Sequence, residues 1–309
     1  MPDEAGVEGA KLQARLLSSP SPSSSSSTLS NLSLPISEAG PLSRSIVLSL
    51  VSGGASALMP YPAEPVTLGM MQETTKLLLA SGASIDEVNA VRKHLEVLKG
   101  GQLARLAIKK GKALALSALV ISDVVGDPLA TIASGLTVPD DSTFPQVVSI
   151  CEKYGISERL PPLVWKRLQQ GARGEVEETP KASEVTVFDH CSTLLVGSAA
   201  TAAKFVESKL RQRYPGAYVH CFSNRFDGEA AVVGQTLADK ISSLLSAAEK
   251  DSPSSHMFAF VATGELTVRI RGHGKGGRNQ ELLLSMLLSL QDSKQLRITS
   301  LRDRFIPFH

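Results

Sequence analysis

The stretch that decides the fold is Leu114-Ala115-Leu116-Ser117-Ala118-Leu119-Val120-Ile121-Ser122-Asp123-Val124-Val125-Gly126-Asp127-Pro128. Its first part, Leu114 to Ile121, is a short apolar run that is typical of a buried strand in a parallel sheet. Its second part is a polar turn that carries two carboxylates, Asp123 and Asp127. Open α/β sheets place their chemistry at the carboxyl ends of their strands. The stretch therefore predicts an acidic site at the edge of a parallel sheet.

Strand-like and helix-like segments alternate on both sides of this stretch. Thr67 can cap one helix, and Ser84 to Glu87 has the spacing of a capping box that begins another. We predict helices over residues 67–80, 84–99, 103–110, 143–154, 163–170, 198–213 and 227–245, and strands over residues 46–51, 114–121, 185–196, 217–222, 257–262 and 267–271. This alternation predicts the α/β class, with two Rossmann-like domains built on mainly parallel sheets.

The first 45 residues differ from the rest of the chain. Residues 18–33 are largely serine with prolines and lack core-forming periodicity, so we predict that 1–45 is a disordered leader. Lys11 and Arg15 among serines are features of a mitochondrial presequence, but Asp3 and Glu4 argue against one because such peptides contain few acids. We therefore expect a cytoplasmic protein, with mitochondrial import as the alternative.

A polar, acidic segment at residues 171–183 is the best candidate for a linker. It predicts a first domain at residues 46–183 and a second domain at residues 184–309.

Composition excludes several classes of protein. The chain has 309 residues, is 42% hydrophobic and has a formal charge of +2, so we expect no nucleic-acid partner. The longest apolar runs reach roughly half of the ~20 residues that a membrane helix needs, so we expect no membrane span. The sequence indicates no particular oligomeric state. The cysteines form neither a CxxC pair nor an even set, which predicts reduced thiols at Cys151, Cys191 and Cys221.

A second polar stretch, Gly272-His273-Gly274-Lys275-Gly276-Gly277-Arg278-Asn279-Gln280-Glu281, follows a predicted strand and begins a helix. Its free backbone N–H groups suit a phosphate. The glycines match the dinucleotide pattern, but no acid ends the next predicted strand, which disfavours a nicotinamide enzyme. The stretch does not match a Walker A loop either, because Lys275 is followed by glycine and not by serine or threonine. Two interpretations of this stretch remain. It is an anion-binding site with Lys275 and Arg278 as its cations, or it is a mobile solvated turn.

Two further segments have both a functional and a structural interpretation. Ser52-Gly53-Gly54-Ala55-Ser56 offers N–H groups and hydroxyls that could bind a carboxylate or phosphate, or it is only a tight connection. Arg92 and Lys93 are most simply part of a solvated helix face. In the first stretch, Asp123 and Asp127 could hold Mg²⁺ or accept a proton, or else Asp123 caps a helix and Asp127 precedes proline in a turn.

In the order and wording of these segments, the chain resembles the glycerate 2-kinases whose C-terminal half is called the MOFRL domain. The resemblance runs from about Ile46 to about Leu284. It rests on residues 52–58, Asn89 with Arg92 and Lys93, residues 98–101, 122–128, 132–137, 263–268 and 274–281.

The resemblance implies transfer of the ATP γ-phosphate to D-glycerate, with Mg²⁺, in a cleft between two α/β domains. It implies that Asp123 orients or deprotonates the substrate hydroxyl and that Arg278 stabilises the transferring phosphoryl group. Asp127 is the metal candidate, and Asn89, Arg92 and Lys93 are the substrate candidates. The nucleotide candidates are Ser52, Gly53, Gly54, Ser56, Gly274, Lys275, Gly276, Gly277 and Asn279.

The departures from the family pattern produce a second hypothesis. The family has a Gly-Lys segment with a catalytic lysine before the position of Ile46, and nothing in residues 1–45 resembles it. The expected fold is therefore incomplete at both termini, with partial N-terminal and MOFRL-type domains. The alternative function is an inactive isoform or fragment that at most binds nucleotide or a full-length partner.

Overall fold

The computed structural model of the protein describes residues 2–18, 45–124, 126–251, 257–272 and 274–292. The chain divides into two compact units, Met1–Ser198 and Ala199–His309. Both units combine helices with parallel strands, which confirms the predicted α/β class. No helix in the described ranges is both long and apolar enough to cross a bilayer.

The first unit begins with a helix and contains a small parallel sheet. Its elements are α1 (Glu4–Ser18), β1 (Ile46–Val51), α2 (Ala55–Leu58), α3 (Leu68–Ala80), α4 (Ile85–Leu95), α5 (Gln102–Arg105), β2 (Ala115–Ile121), α6 (Phe144–Lys153), α7 (Pro162–Ala172), α8 (Val185–Phe188) and β3 (Cys191–Gly197). The predicted caps are confirmed, since Thr67 accepts a hydrogen bond from Met70 N and Ser84 forms a capping box with Glu87. A π-helical segment, Leu106–Lys110, continues α5.

The three strands of this unit form a sheet in the order β1-β2-β3, with both pairings parallel. Val51 at the end of β1 is level with Val120 near the end of β2. At the end of β3, the Gly197 carbonyl accepts a hydrogen bond of 2.8 Å from Ser122 N. The carboxyl ends of all three strands therefore lie along one edge of the sheet.

Two apolar clusters support this unit. The first packs β2, through Leu116 and Val120, against α1 and α5. The second joins α3, α4, α6 and α7 through side chains such as Leu78, Phe144 and Leu168. The loops at the carboxyl edge of the sheet are thus carried on a packed scaffold.

Helix α1 corrects the prediction that residues 1–45 form a disordered leader. Ala10 is fully buried and Ala14 nearly so, and both belong to the first cluster. Gln72 Nε2 also donates a hydrogen bond of 2.9 Å to Pro2 O. The buried Val7, Ala10 and Ala14 recur at helical spacing, which is the signal that the composition of this segment concealed. Residues 19–44, which include most of the serine-rich stretch, lie outside the described residues.

The boundary between the units also differs from the predicted one at residues 183 and 184. The predicted strand over 185–196 is instead the short helix α8 followed by β3, and β3 pairs with β2. The predicted linker is packed within the first unit, since Thr179 is buried and its hydroxyl donates to Asp140 at 3.0 Å. Strand pairing therefore moves the boundary to Ser198.

The second unit contains α9 (Ala199–Arg213), β4 (Tyr218–Cys221), β5 (Phe226–Glu229), α10 (Ala230–Asp251), β6 (Phe258–Val261), β7 (Gly264–Thr267) and α11 (Arg278–Asp292). Its strands form two parallel pairs, β4 with β6 and β5 with β7.

Two predicted elements of this unit have other bounds in the structure. The prediction of a helix from Asp227 is wrong at its start, because β5 occupies residues 226–229. The last predicted strand, residues 267–271, is found at residues 264–267. Gly234 on α10 lies against the Leu282 carbonyl of α11, so the absence of a side chain lets these two helices pack closely.

Candidate active site

The carboxyl ends of β1 and β2 bring two predicted site residues into contact. Ser52 and Gly53 follow β1, and Asp123 lies in the loop that follows β2. A Cβ atom built on Gly53 would lie 2.3 Å from Asp123 Oδ2. Such a distance is far below van der Waals contact, so a side chain at position 53 would displace the Asp123 carboxylate from this position. The turn after β1 therefore packs directly against the carboxylate of Asp123. Asp123 itself is exposed at the surface.

The end of this turn is held from two other segments. Ser56 Oγ hydrogen-bonds to Ser134 Oγ at 2.9 Å, and Arg92 Nη2 donates to Ser56 O at 3.1 Å. Ser134 is fully buried, and no pattern in the sequence marked it as a site residue. Arg92, predicted to contact substrate, fixes the backbone of the turn through this hydrogen bond, and its contact with substrate stays a prediction.

Ser134 belongs to an unusual backbone segment. Ala133, Ser134 and Gly135 have φ values of 51°, 58° and 66°, although only glycine adopts positive φ without strain. Gly100 N donates to Ser134 O at 2.9 Å, and Gly101 N donates to Gly135 O at 2.6 Å. Strained backbone of this kind concentrates at functional sites. The contacts connect this segment to the Gly-Gly pair before α5.

The substrate candidates Asn89 and Lys93 are buried on α4. Lys93 Nζ donates to Asp140 Oδ1 at 3.1 Å. Burial by itself would raise the pKa of Asp140, but Lys93 and Ser142 hold this pKa below its ordinary value. The ammonium of Lys93 is therefore engaged in a buried ion pair within the scaffold.

A second buried ion pair follows α4 and was missed by the sequence analysis. Glu96 and Lys99 are both fully buried, and Lys99 Nζ donates to Glu96 Oε2. The same oxygen accepts a hydrogen bond of 3.2 Å from Tyr61 N. Burial lowers the pKa of Lys99, and the charge of Glu96 opposes this shift. The pair anchors the loop that leads to Gly100 and Gly101.

In the second unit, the glycine-rich loop lines a cavity of about 610 Å³. Cavities of this size suit small ligands. Three cationic side chains, Arg269, Arg271 and Lys275, contribute to its wall. Glu229 binds the two arginines, with Arg271 Nη2 at 3.2 Å and Arg269 Nε at 3.8 Å from its carboxylate oxygens. Glu281 also lines the cavity, so three cations and two carboxylates surround it, and Lys275 is the lining cation that Glu229 does not bind.

The catalytic candidate Arg278 is the first residue of α11. Its Nη1 donates to the carboxylate of Glu265 and, at 3.2 Å, to Leu266 O. Asn279, predicted with the loop glycines as a nucleotide contact, lines a different cavity of about 310 Å³ beside Gly264. Two segments that carried the sequence resemblance therefore meet through Arg278 and Glu265.

The structure also bears on the dinucleotide alternative. That fingerprint needs a tight glycine turn directly between a strand and a helix. Here β7 ends at Thr267, and the described residues between it and Arg278 form neither helix nor strand. The long loop does not fit a dinucleotide site.

The carboxylates of the first stretch, Asp123 and Asp127, are the predicted candidates for binding a metal. Among the described residues, no three His, Cys, Asp or Glu side chains are grouped as metal ligands. Asp127 has a φ of 54° and its N–H donates to Val124 O at 3.3 Å. Mg²⁺ needs only one or two protein carboxylates when phosphate oxygens complete its shell, so a metal role for Asp127 stays a prediction.

Comparison with known families decides the relationship of this chain. The model of a domain of unknown function, DUF4147, matches residues 1–169. The chain belongs to the DUF4147 family. The MOFRL family model matches residues 258–302. Because the first match starts at residue 1, the expectation that family similarity begins near Ile46 is wrong.

Individual relatives agree with the predicted resemblance to glycerate kinases. Glycerate 2-kinase of Pyrococcus horikoshii is 39% identical over 252 residues, covering 81% of this chain and 54% of the relative. A protein of Agrobacterium vitis, provisionally named hydroxypyruvate reductase, is 37% identical over 249 residues, covering 80% and 52%. The crystal structure of a glycerate kinase from Thermotoga maritima matches with a TM-score of 0.70 and 33% identity, covering 94% of this chain and 59% of that one. The chain spans about half the length of the curated relatives it matches.

Proposed function

We propose that the protein containing this chain transfers the γ-phosphate of ATP to a hydroxyl of D-glycerate and forms 2-phosphoglycerate. The observation that carries the proposal is the contact between Asp123 and Gly53 at the carboxyl edge of the parallel sheet. Hydrogen bonds link the same turn, through Ser56, to Arg92 and Ser134. The similarity to glycerate kinases supports the reaction and ATP as co-substrate.

Asp123 is assigned to the substrate hydroxyl. Its exposed position lets a substrate reach the carboxylate, and a positioned carboxylate can accept the hydroxyl proton as the phosphoryl group arrives. Asn89 is proposed to contact D-glycerate. Arg92 and Lys93 are proposed to shape that site from within the scaffold, because both cationic groups already bind protein acceptors.

Arg278 is assigned to the charge on the transferring phosphoryl group, since its planar fork matches phosphoryl oxygens. Mg²⁺ would be bound by Asp127 together with phosphate oxygens and would neutralise developing charge. A cytoplasmic location is part of the proposal, since Cys151, Cys191 and Cys221 form neither a CxxC pair nor an even set. The proposed nucleotide contacts are Ser52, Gly53, Gly54, Ser56, Gly274, Lys275, Gly276, Gly277 and Asn279.

The decisive experiment replaces the proposed acid–base group. Asp123→Asn should lower kcat for D-glycerate phosphorylation by about 10²-fold or more, because the amide cannot accept the proton. The control is Asp86→Asn, which changes a carboxylate in the first turn of α4, outside the proposed site. Formation of 2-phosphoglycerate is measured in a coupled assay, and NADH consumption with hydroxypyruvate is measured in parallel. Wild-type turnover by Asp123→Asn, or reductase activity without kinase activity, contradicts the proposal.

A further inference from the structure

The guanidinium of Arg278 is held along one side. Its Nη1 donates to both Glu265 and the Leu266 carbonyl, while Nε and Nη2 make no hydrogen bond to any residue that the structure describes. A guanidinium has five N–H donors in one fixed plane. Fixing Nη1 therefore sets the plane and leaves the Nε–Nη2 edge for a second acceptor with two oxygens.

Glu265 is itself placed by the strand pairing. It lies on β7 directly opposite Asp227 on β5, and like charges at such positions repel each other. Arg225 relieves this repulsion, because its Nε donates to Asp227 Oδ1 at 3.2 Å and its Nη2 lies 3.8 Å from Glu265 Oε2. Asp227, Arg225, Glu265 and Arg278 thus form a row of alternating charge.

The backbone beside Glu265 is equally constrained. A Cβ atom on Gly264 would lie 2.2 Å from the Phe226 carbonyl oxygen, so glycine is required for β7 to approach β5 this closely. The carboxylate of Glu265 is therefore presented from a closely paired strand. Arg278 has a long side chain that is 52% exposed, and such a side chain samples many rotamers unless it is anchored.

We propose that Glu265 is a positioning residue that orients Arg278, so that the Nε–Nη2 edge faces the transferring phosphoryl group. The inference rests on the proposed kinase function. Glu265 acts through the arginine and makes no contact with substrate. Half-exposed ion pairs contribute little to folding stability, so the pair should matter for turnover far more than for folding.

The kinetic test uses Glu265→Ala, with Glu207→Ala as the matched control, because Glu207 binds Arg211 in a similar ion pair on α9. Glu265→Ala should lower kcat on the order of 10- to 100-fold, as expected for a misplaced catalytic group, with the KM for D-glycerate and the Tm nearly unchanged. Glu265→Gln should recover part of the loss, since its amide oxygen can still accept from Nη1. In an Arg278→Ala background, Glu265→Ala should cause no further loss. Wild-type kcat in Glu265→Ala, or full additivity with Arg278→Ala, overturns the proposal.

A second measurement separates this proposal from the proposed function. The Nε–H resonance of Arg278, assigned with Arg278→Lys, is followed by ¹⁵N NMR in the chain itself. It should shift in Glu265→Ala and stay unchanged in Glu207→Ala. If the wild-type protein lacks kinase activity, the proposed function fails, and a shifted resonance still supports the anchoring of Arg278 by Glu265. An unshifted resonance overturns the positioning proposal whether or not the protein is a kinase.

Discussion

At the scale of single residues, a side chain at position 53 would occupy the space of the Asp123 carboxylate. Gly53→Ala should displace the Asp123 carboxylate and lower kcat by about 10²-fold, because small misplacements of catalytic groups are costly. Folding should change little, since both residues are exposed. Gly9→Ala is the control, because a Cβ there meets no atom within 4 Å. Steady-state kinetics and urea unfolding check both variants, and normal kcat in Gly53→Ala would show that the carboxylate has room to move without consequence.

At the scale of elements, α1 is expected to be an integral part of the first unit. Ala10 is 0% exposed, so Ala10→Leu should overpack the core and lower the free energy of unfolding by about 1–3 kcal/mol. Ala5→Leu, on the exposed face of the same helix, should change it by less than ~0.5 kcal/mol. Trp165 is the single tryptophan and lies in α7, so its fluorescence reports unfolding of this unit. Equal stabilities of the two variants would mean that α1 is not docked in solution.

At the scale of the whole molecule, the position of the unit boundary makes a prediction about fragments. Residues 1–198 keep β3 paired with β2, whereas residues 1–183 lose that strand and also Glu184, which binds Arg105. The longer fragment should unfold cooperatively in urea near the midpoint of the intact chain, as followed by Trp165 fluorescence. The shorter fragment should unfold at clearly lower urea, because one side of β2 becomes an unpaired edge. Equal midpoints would support the boundary predicted from the linker composition.

Much of the local structure was predictable because its causes are local. The caps at Thr67 and Ser84 depend on side chains and N–H groups within three residues, and both form as predicted. The apolar run ending at Ile121 predicted β2, and the polar turn after it predicted where Asp123 lies along the chain. Residues 185–196 were mispredicted, because β-branched residues favour strands unless tertiary contacts decide otherwise. There, residues 185–188 form the helix α8, and the strand starts only at Cys191.

The sequence by itself determined the α/β class, most element positions and the candidate residues Asp123 and Arg278, since these depend on periodicity, capping and motif order. Only the tertiary structure decided which groups meet. The contact of Gly53 with Asp123 and the hydrogen bonds from Arg92 to Ser56 and from Arg278 to Glu265 all join residues far apart or on different elements. The physical reason is that parallel strand pairing brings separate carboxyl ends to one edge, and no local pattern encodes which side chains then face each other.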